Sequence, residues 1–295
     1  MRECYAAGMA FSGVLAPVLT PFDAQLAPDL PRWLQHCRAL LSEGCSGLAI
    51  FGTTSEANSL SVEERARMLK ALVTDGVDAR ALMPGTGCCA LPDTVQLTKI
   101  AVEAGCGGVL MLPPFYYKNP SEEGIYRNFA NVIERVNDSR LRIYLYHIPQ
   151  VSQVGFSLPL IERLRRAFPS MVVGIKDSSG DWNNTKAMLE ACKGFEIFVG
   201  SEKFLLANLA GGGAGCITAT ANINAKAIAR LFRERSQGLQ DEVNTVRALL
   251  ESRPLIAALK AVVAQRTGHP GWRRMRPPLV ELSEREAQDL IARLA

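Results

Sequence analysis

Residues 171–176 read MVVGIK: three apolar residues, a glycine, a fourth apolar residue and then a lysine. A run that is apolar throughout, without polar alternation, is the pattern of a strand covered on both faces, as in a parallel sheet. Seven more such runs occur: GVLAPVLT (13–20), GLAIFG (47–52), ARALMPG (79–85), GGVLMLP (107–113), LRIYLYH (141–147), FEIFVG (195–200) and AGCITA (214–219). Between them lie segments such as DLPRWLQHCRALLSEG (29–44), SVEERARMLKALVTDG (61–76) and SLPLIERLRRAFPS (157–170). Their apolar residues recur every three or four positions, the period of an amphipathic helix. Ser61 with Glu64 reads as a capping box, and Gly44, Gly76 and Gly105 stand where helices should stop. Eight βα units of one kind predict an α/β fold closed into a (β/α)8 TIM barrel. An open doubly wound sheet is the rival, but it would not need eight evenly repeated units. The barrel core is assigned to 13–222. Residues 223–295 read as helices only, the last barrel helix and a C-terminal helical extension packed as one unit: AKAIARLFRERSQ, LQDEVNTVRALLES, PLIAALKAVVAQR and a final helix capped by Ser283 with Glu286.

Composition sets the outer limits. The chain has 295 residues, 48% hydrophobic and 21% charged, which suits a soluble, core-forming protein. Its net charge of +4 comes from basic residues spread along the chain. The local exception, WRRMRPP (272–278), is too short to argue for nucleic acid. No apolar run approaches the roughly 18–20 residues that span a bilayer, so no membrane partner is expected. The first 22 residues contain Arg2, Glu3, Pro17 and Pro21 and no continuous apolar stretch, so no signal peptide is expected either. The eight cysteines (4, 37, 45, 88, 89, 106, 192, 216) contain no C-x-x-C spacing and read as small buried hydrophobes. The three histidines (36, 147, 269) are not spaced as metal ligands. Metal and cofactor are both expected to be absent, and the cytoplasm is the expected compartment.

In a parallel barrel the working residues stand at the C-terminal ends of strands and in the loops that follow. Lys176 ends the sixth run. The other ends carry Thr20; Gly52, Thr53, Thr54, Ser55 and Glu56; Phe115 to Lys118; Tyr144, Tyr146 and His147; Gly200, Ser201 and Glu202; and Thr218 and Thr220. This rim has hydroxyls, one strand-terminal lysine and few carboxylates. Metal-assisted chemistry needs clustered Asp, Glu or His, and a serine hydrolase needs a nucleophile elbow, G-x-S-x-G, which does not precede His147. Amine chemistry fits. Desolvation favours the neutral, nucleophilic form of an amine, which can condense with a ketone into an electron-withdrawing imine. A tyrosine and a threonine in relay could move the protons. The plainer reading is a lysine paired with the adjacent Asp177, a tyrosine loop that only packs, and a GTTSE turn that only caps. GGGAG (211–215) precedes the last strand and so reads as a tight αβ turn rather than a phosphate loop.

Four motifs in fixed order are more specific than any one of them: GTTSE (52–56), PPFYYKNP (113–120), YHIP (146–149) and GIKDSSG (174–180). Together they resemble the dihydrodipicolinate synthase / N-acetylneuraminate lyase family, class I lyases and aldolases that use pyruvate. The resemblance runs from about Gly13 to the C-terminus. It implies that Lys176 forms the Schiff base, that Tyr146 transfers protons over the imine, and that Thr53 is the relay hydroxyl. Thr54 would bind the pyruvate carboxylate, and Ile217, in GCITATAN, would line the pyruvate site with its backbone. Tyr117 resembles a tyrosine that the family passes into a neighbouring subunit's relay, and a homotetramer built as a dimer of dimers is implied with it. Ser178 stands where sugar-acid lyases carry a hydroxyl residue, and Gly200 is counted with it among substrate-binding residues. Synthases proper carry an arginine two residues after the proline of Y-N-V-P; here that position is Val151, which cannot replace a bidentate guanidinium. Ser55 replaces the glycine of G-T-T-G-E and His147 the asparagine of Y-N-V-P, and both are expected to alter the mouth of the site.

The leading expectation is therefore a Schiff-base lyase or aldolase that cleaves or condenses a 2-oxo acid, with pyruvate as one component and an aldehyde as the other. The synthase itself, using pyruvate and aspartate semialdehyde with Lys118 or Lys203 in place of the arginine, is the runner-up. A dehydratase or aldolase of 2-oxo-3-deoxy sugar acids is third. A non-catalytic sensor of 2-oxo acids is the reading from another class, and a nucleophile set beside a proton relay argues against it.

Overall fold

A computed structural model of the chain describes residues 11–294. Cys4 and the first ten residues of the segment weighed as a leader lie outside them. The named strands are β1 (Gly13–Ala16), β2 (Gly47–Leu48), β3 (Val109–Met111), β4 (Ile143–His147), β5 (Val172–Asp177), β6 (Glu196–Val199) and β7 (Gly215–Ile217). All pair in parallel, in the order β2-β1-β7-β6-β5-β4-β3. The gap between β2 and β3 is closed by residues 82–86, with bridges Leu48–Leu82 and Gly85–Leu110. Met83 and Gly85 donate to Leu48 and Ile50, and Thr86 donates to Leu110, at 2.7–3.0 Å. The sheet is thus a closed barrel, as the eight apolar runs predict. The run at 79–85 differs from expectation in two ways. Ala79–Ala81 forms a single 3-10 turn capped by Asp78. Pro84 then has no N–H to donate, so the eighth position is held by isolated bridges rather than a continuous ladder.

Helices cover the barrel: α1 (Leu30–Ser42), α2 (Val62–Thr74), α3 (Leu91–Glu103), α4 (Glu122–Val136), the short α5 (Pro149–Ser152), α6 (Leu158–Ala167), α7 (Trp182–Ala191), α8 (Leu205–Ala210) and α9 (Ala221–Glu234). Three more follow, α10 (Gln237–Glu251), α11 (Leu255–Thr267) and α12 (Glu284–Leu294). The capping box of α2 is complete, with Ser61 Oγ accepting from Glu64 N–H and the Glu64 carboxylate accepting from Ser61 N–H. Gly44, Gly76 and Gly105 follow α1, α2 and α3 in left-handed backbone, which a Cβ would strain. GGGAG is the turn from α8 into β7.

Inside the barrel Leu15, Ala49, Met83, Leu110, Phe198 and Ile217 form one apolar cluster. Tyr144 belongs with them rather than to the rim where its place in the sequence suggested it. Its hydroxyl donates to Glu196 Oε2 at 2.5 Å, at the start of β6. A second core joins Leu19, Ala219 and Ile223 at the barrel's upper end to α11, Trp272 and Leu290. α11 is buried on every side, residues 257–264 without exception and apolar but for Lys260, as expected of a helix enclosed by others. Of the cysteines, 37, 45, 192 and 216 are buried, 88 and 106 are half-buried, and Cys89 is exposed. The last departs from expectation because it stands in the loop entering α3, outside any core. Among the described residues no helix is long and apolar enough to cross a membrane.

Candidate active site

Parallel pairing sets Lys176 on β5 beside Tyr146 on β4 and Phe198 on β6. Lys176 is only 4% exposed. Its Nζ donates to the Tyr146 hydroxyl at 3.3 Å and lies 4.4 Å from the centre of the Tyr146 ring. That hydroxyl lies 3.2 Å from Thr53 Oγ1, and either can be the donor. Three functional groups from three strand ends thus form one chain. Asp177 does not pair with the lysine, because successive side chains of a strand point to opposite faces. Its carboxylate accepts instead from Thr185 Oγ1 (2.6 Å), Asn184 Nδ2 (3.1 Å) and Ser179 N–H (2.9 Å). Among the described residues no carboxylate lies within 4 Å of Lys176.

Thr53 and Thr54 sit in a 3-10 turn, Thr53–Ser55, directly after the β2 run. The first N–H groups of such a turn have no partner within it. Glu56 closes the turn at φ 56°, an unusual conformation for a residue with a Cβ. It is held there from the far end of the chain: fully buried Lys260 on α11 pairs with its carboxylate, and Arg276 N–H donates to Oε2 at 3.1 Å.

A cavity of about 590 Å3 opens above Lys176. Thr53, Thr54, Tyr146 and Ile217 line it, and so do Ser178, Gly200 and Val151. A Cβ on Gly200 would come within 2.1 Å of Ser178 Oγ, so that position admits only glycine while Ser178 keeps its place. Tyr117 is not brought to this cavity; it is 78% exposed and packs edge-on against Tyr116. Lys118 is also outside, donating to the carbonyls of Phe115 (2.5 Å) and Ser152 (3.2 Å). Lys203 does line the cavity, with Glu251 3.5 Å away.

Sequence reasoning missed the far wall. Arg247 on α10 is buried and donates to Glu202 Oε2 (2.7 Å), Thr218 Oγ1 (2.9 Å) and Glu251 Oε1 (2.7 Å). Burial works to lower its pKa, and the carboxylates of Glu202 and Glu251 outweigh that and hold it above the ordinary value. Glu202, fully buried, also accepts from the hydroxyls of Thr218 and Thr220. The rim residues Glu202, Thr218 and Thr220 are therefore scaffolding. The rest of the wall comes from Pro254–Ala257, Met275 and Pro278–Val280. An arginine in a helix-period segment ordinarily reads as solvated, so nothing local marks Arg247.

The model of the dihydrodipicolinate synthetase family matches residues 10–295. The chain belongs to that family. It is 35% identical over 286 residues, 95% of either chain, to an uncharacterized DapA-like lyase of Chloroflexus aurantiacus. The crystal structure of dihydrodipicolinate synthase from Agrobacterium tumefaciens superposes with a TM-score of 0.89 at 30% identity, covering 96% of this chain and 98% of that one. YagE, a prophage protein of the same family from E. coli, crystallised with pyruvate, superposes at 0.88 with 25% identity, covering 96% and 97%. This member of the family is a lyase or aldolase by descent.

The two departures from the family's motifs do not reshape the mouth as expected. Ser55 is buried and turns inward, donating to Val18 O at 2.5 Å, while its own carbonyl accepts from Thr20 Oγ1 at 2.7 Å. His147 points to the loop after α5, where Nδ1 accepts from Phe156 N–H at 3.0 Å. That bond places the imidazole proton on Nε2. Burial lowers the His147 pKa, against a smaller opposing pull from Asp177. Both residues brace loops that carry site residues, and neither lines the cavity.

Proposed function

We propose that this member of the dihydrodipicolinate synthetase family is a class I aldolase or lyase that works through an imine on Lys176, with pyruvate as one component. The observation that carries the reading is the Lys176–Tyr146–Thr53 chain, in which the amine is buried beside a hydroxyl relay and, among the described residues, away from any carboxylate. In the cleavage direction the Lys176 amine adds to the C2 ketone of a 4-hydroxy-2-oxo acid and water leaves, giving the protonated imine. Tyr146 takes the C4 hydroxyl proton and shares it with Thr53. The C3–C4 bond breaks, its electrons pass to the imine, and an aldehyde departs. The enamine is then protonated at C3 and hydrolysed, releasing pyruvate and restoring the amine. Thr54 and the open N–H groups of its turn face the substrate carboxylate, with the backbone of Ile217 below. The same reading makes the protein a cytoplasmic homotetramer in which Tyr117 completes the relay of a neighbouring subunit, and the exposure of that ring supports it.

Borohydride reduction in the presence of pyruvate tests the imine. The expected result is the mass of a reduced pyruvate adduct on the peptide containing Lys176, absent in Lys176→Arg. Unmodified protein after reduction overturns the reading. Lys203 in the cavity wall keeps the synthase itself as a second reading, and absence of turnover with aspartate semialdehyde excludes it.

A further inference from the structure

The outer half of the cavity says what kind of second component it takes. Val151, Phe204, Leu255, Ile256, Leu279 and Val280 give it apolar surface, beside the polar Gln150, Ser178 and Ser201. Val151 and Val280 are 59% and 73% exposed, so apolar surface continues to the rim. Each cation in this wall already faces a carboxylate. Arg247 is held between Glu202 and Glu251, both at 2.7 Å, and Lys203 lies against Glu251. Asp177 reaches the lining too, but its carboxylate is turned away onto Thr185, Asn184 and Ser179. Among the described residues of this lining only Lys176 has no carboxylate partner, and on forming the imine its charge is matched by the carboxylate of the 2-oxo acid itself. A second anionic group on the substrate would therefore meet a wall whose charges are already balanced, with no unpaired cation among the described residues besides Lys176, an unfavourable setting for a desolvated charge. Polar groups in the lining are few: the Gln150 amide donates to Ser178 O and the Thr185 hydroxyl to Asp177, which leaves the Ser178 and Ser201 hydroxyls beside the apolar wall.

We propose that the second component is an uncharged, apolar aldehyde, aliphatic or aromatic, and that Val151 selects for it. This rests on the imine reading for the reaction, but not for the tail preference. In the condensing direction the pyruvate enamine carbon bonds to the aldehyde carbon, and the aldehyde oxygen takes a proton. Hydrolysis by one water then frees Lys176 and a 4-hydroxy-2-oxo acid with an apolar tail. No oxidant or reductant is needed.

Two 2-oxo acids of equal length separate the alternatives: 2-oxohexanoate ends in a methyl group and 2-oxoadipate in a carboxylate. By calorimetry the wild-type protein should bind 2-oxohexanoate at least about tenfold more tightly, about 1.4 kcal/mol. Val151→Arg, a change at an exposed position of short α5, should shift that ratio at least about tenfold toward 2-oxoadipate. With pyruvate, pentanal should be condensed with a higher kcat/KM than succinic semialdehyde. Equal or tighter binding of 2-oxoadipate by the wild type overturns the proposal, as does a ratio unmoved by Val151→Arg. Borohydride trapping with each acid reads the imine separately. No adduct on Lys176 together with tighter 2-oxohexanoate binding would remove the imine and leave the tail preference standing.

Discussion

At the scale of the residue, the lysine that ends MVVGIK is placed for chemistry by what it lacks as much as by what it touches. A buried ammonium ordinarily keeps a carboxylate beside it, and the neighbour that sequence offers, Asp177, is turned away by the alternation of the strand. What remains within reach is the Tyr146 hydroxyl at 3.3 Å and, through it, Thr53. If Tyr146 moves protons rather than merely packing, Tyr146→Phe removes the relay and leaves the nucleophile. The expected outcome is a fall in kcat of about 10²–10⁴-fold, with the borohydride adduct on Lys176 still formed. Loss of the adduct together with activity would assign Tyr146 to holding the lysine in place. These residues were legible in the sequence because barrel topology sends every strand end to one rim, so that an ordered set of short motifs maps onto one site. Arg247 was not, since its function depends on burial against Glu202 from a segment 45 residues away. Nor could the sequence tell that His147 and Ser55 face loops, because a rim position does not fix the direction of a side chain.

At the scale of the element, the turn that carries Thr53 and Thr54 is only three residues long. It would not hold a strained Glu56 by itself. Lys260 holds it from α11, 204 residues further on, with Arg274 O as a second acceptor at 2.7 Å. Burial lowers the Lys260 pKa, and Glu56 opposes that. Breaking such a pair from one side costs more than the pair is worth, because the remaining charge stays buried. Lys260→Met is expected to destabilise the protein by roughly 3–5 kcal/mol, read as a lowered denaturation midpoint, and to raise the apparent KM for pyruvate. Adding Glu56→Gln should recover much of the stability. A double variant no more stable than Lys260→Met would mean that the packing of the methylene chain, not the charge, is what matters. The helical pattern of PLIAALKAVVAQR was visible in sequence, but nothing local marks its single lysine as the partner of a carboxylate 204 residues away. Likewise the run at 79–85 gave the right place for a strand and the wrong extent, since Pro84 cuts the ladder that its apolar neighbours would otherwise form.

At the scale of the whole molecule, the barrel and the helices after it meet around Asn222 at the start of α9. Its Nδ2 donates to Pro17 O (2.9 Å) and Ala219 O (2.8 Å), so Oδ1 is the acceptor for Leu19 N–H and for His36 Nε2, both at 3.0 Å. His36 on α1 therefore carries a proton on Nε2, and its ring meets Trp272 edge-on. Burial, opposed in part by the Asn222 hydrogen bond, takes its pKa from 6.5 to about 4. Above pH 6.5 neither the folded nor the unfolded chain protonates this ring. As the pH falls from 6.5 toward 4 the unfolded chain binds the proton and the folded one does not, so stability is lost across that window; below it both are protonated and the loss stops. At about 1.4 kcal/mol per pH unit the full loss is roughly 3 kcal/mol. His147, also lowered by burial, falls in the same direction, so the measurement must be differential. Denaturation midpoints of the wild type and His36→Gln, compared from pH 7.5 to 4, should converge as the pH drops, because the glutamine can still donate to Asn222 Oδ1 but takes no proton. Parallel curves would mean that His36 is not the group through which acid loosens the joint between barrel and helices.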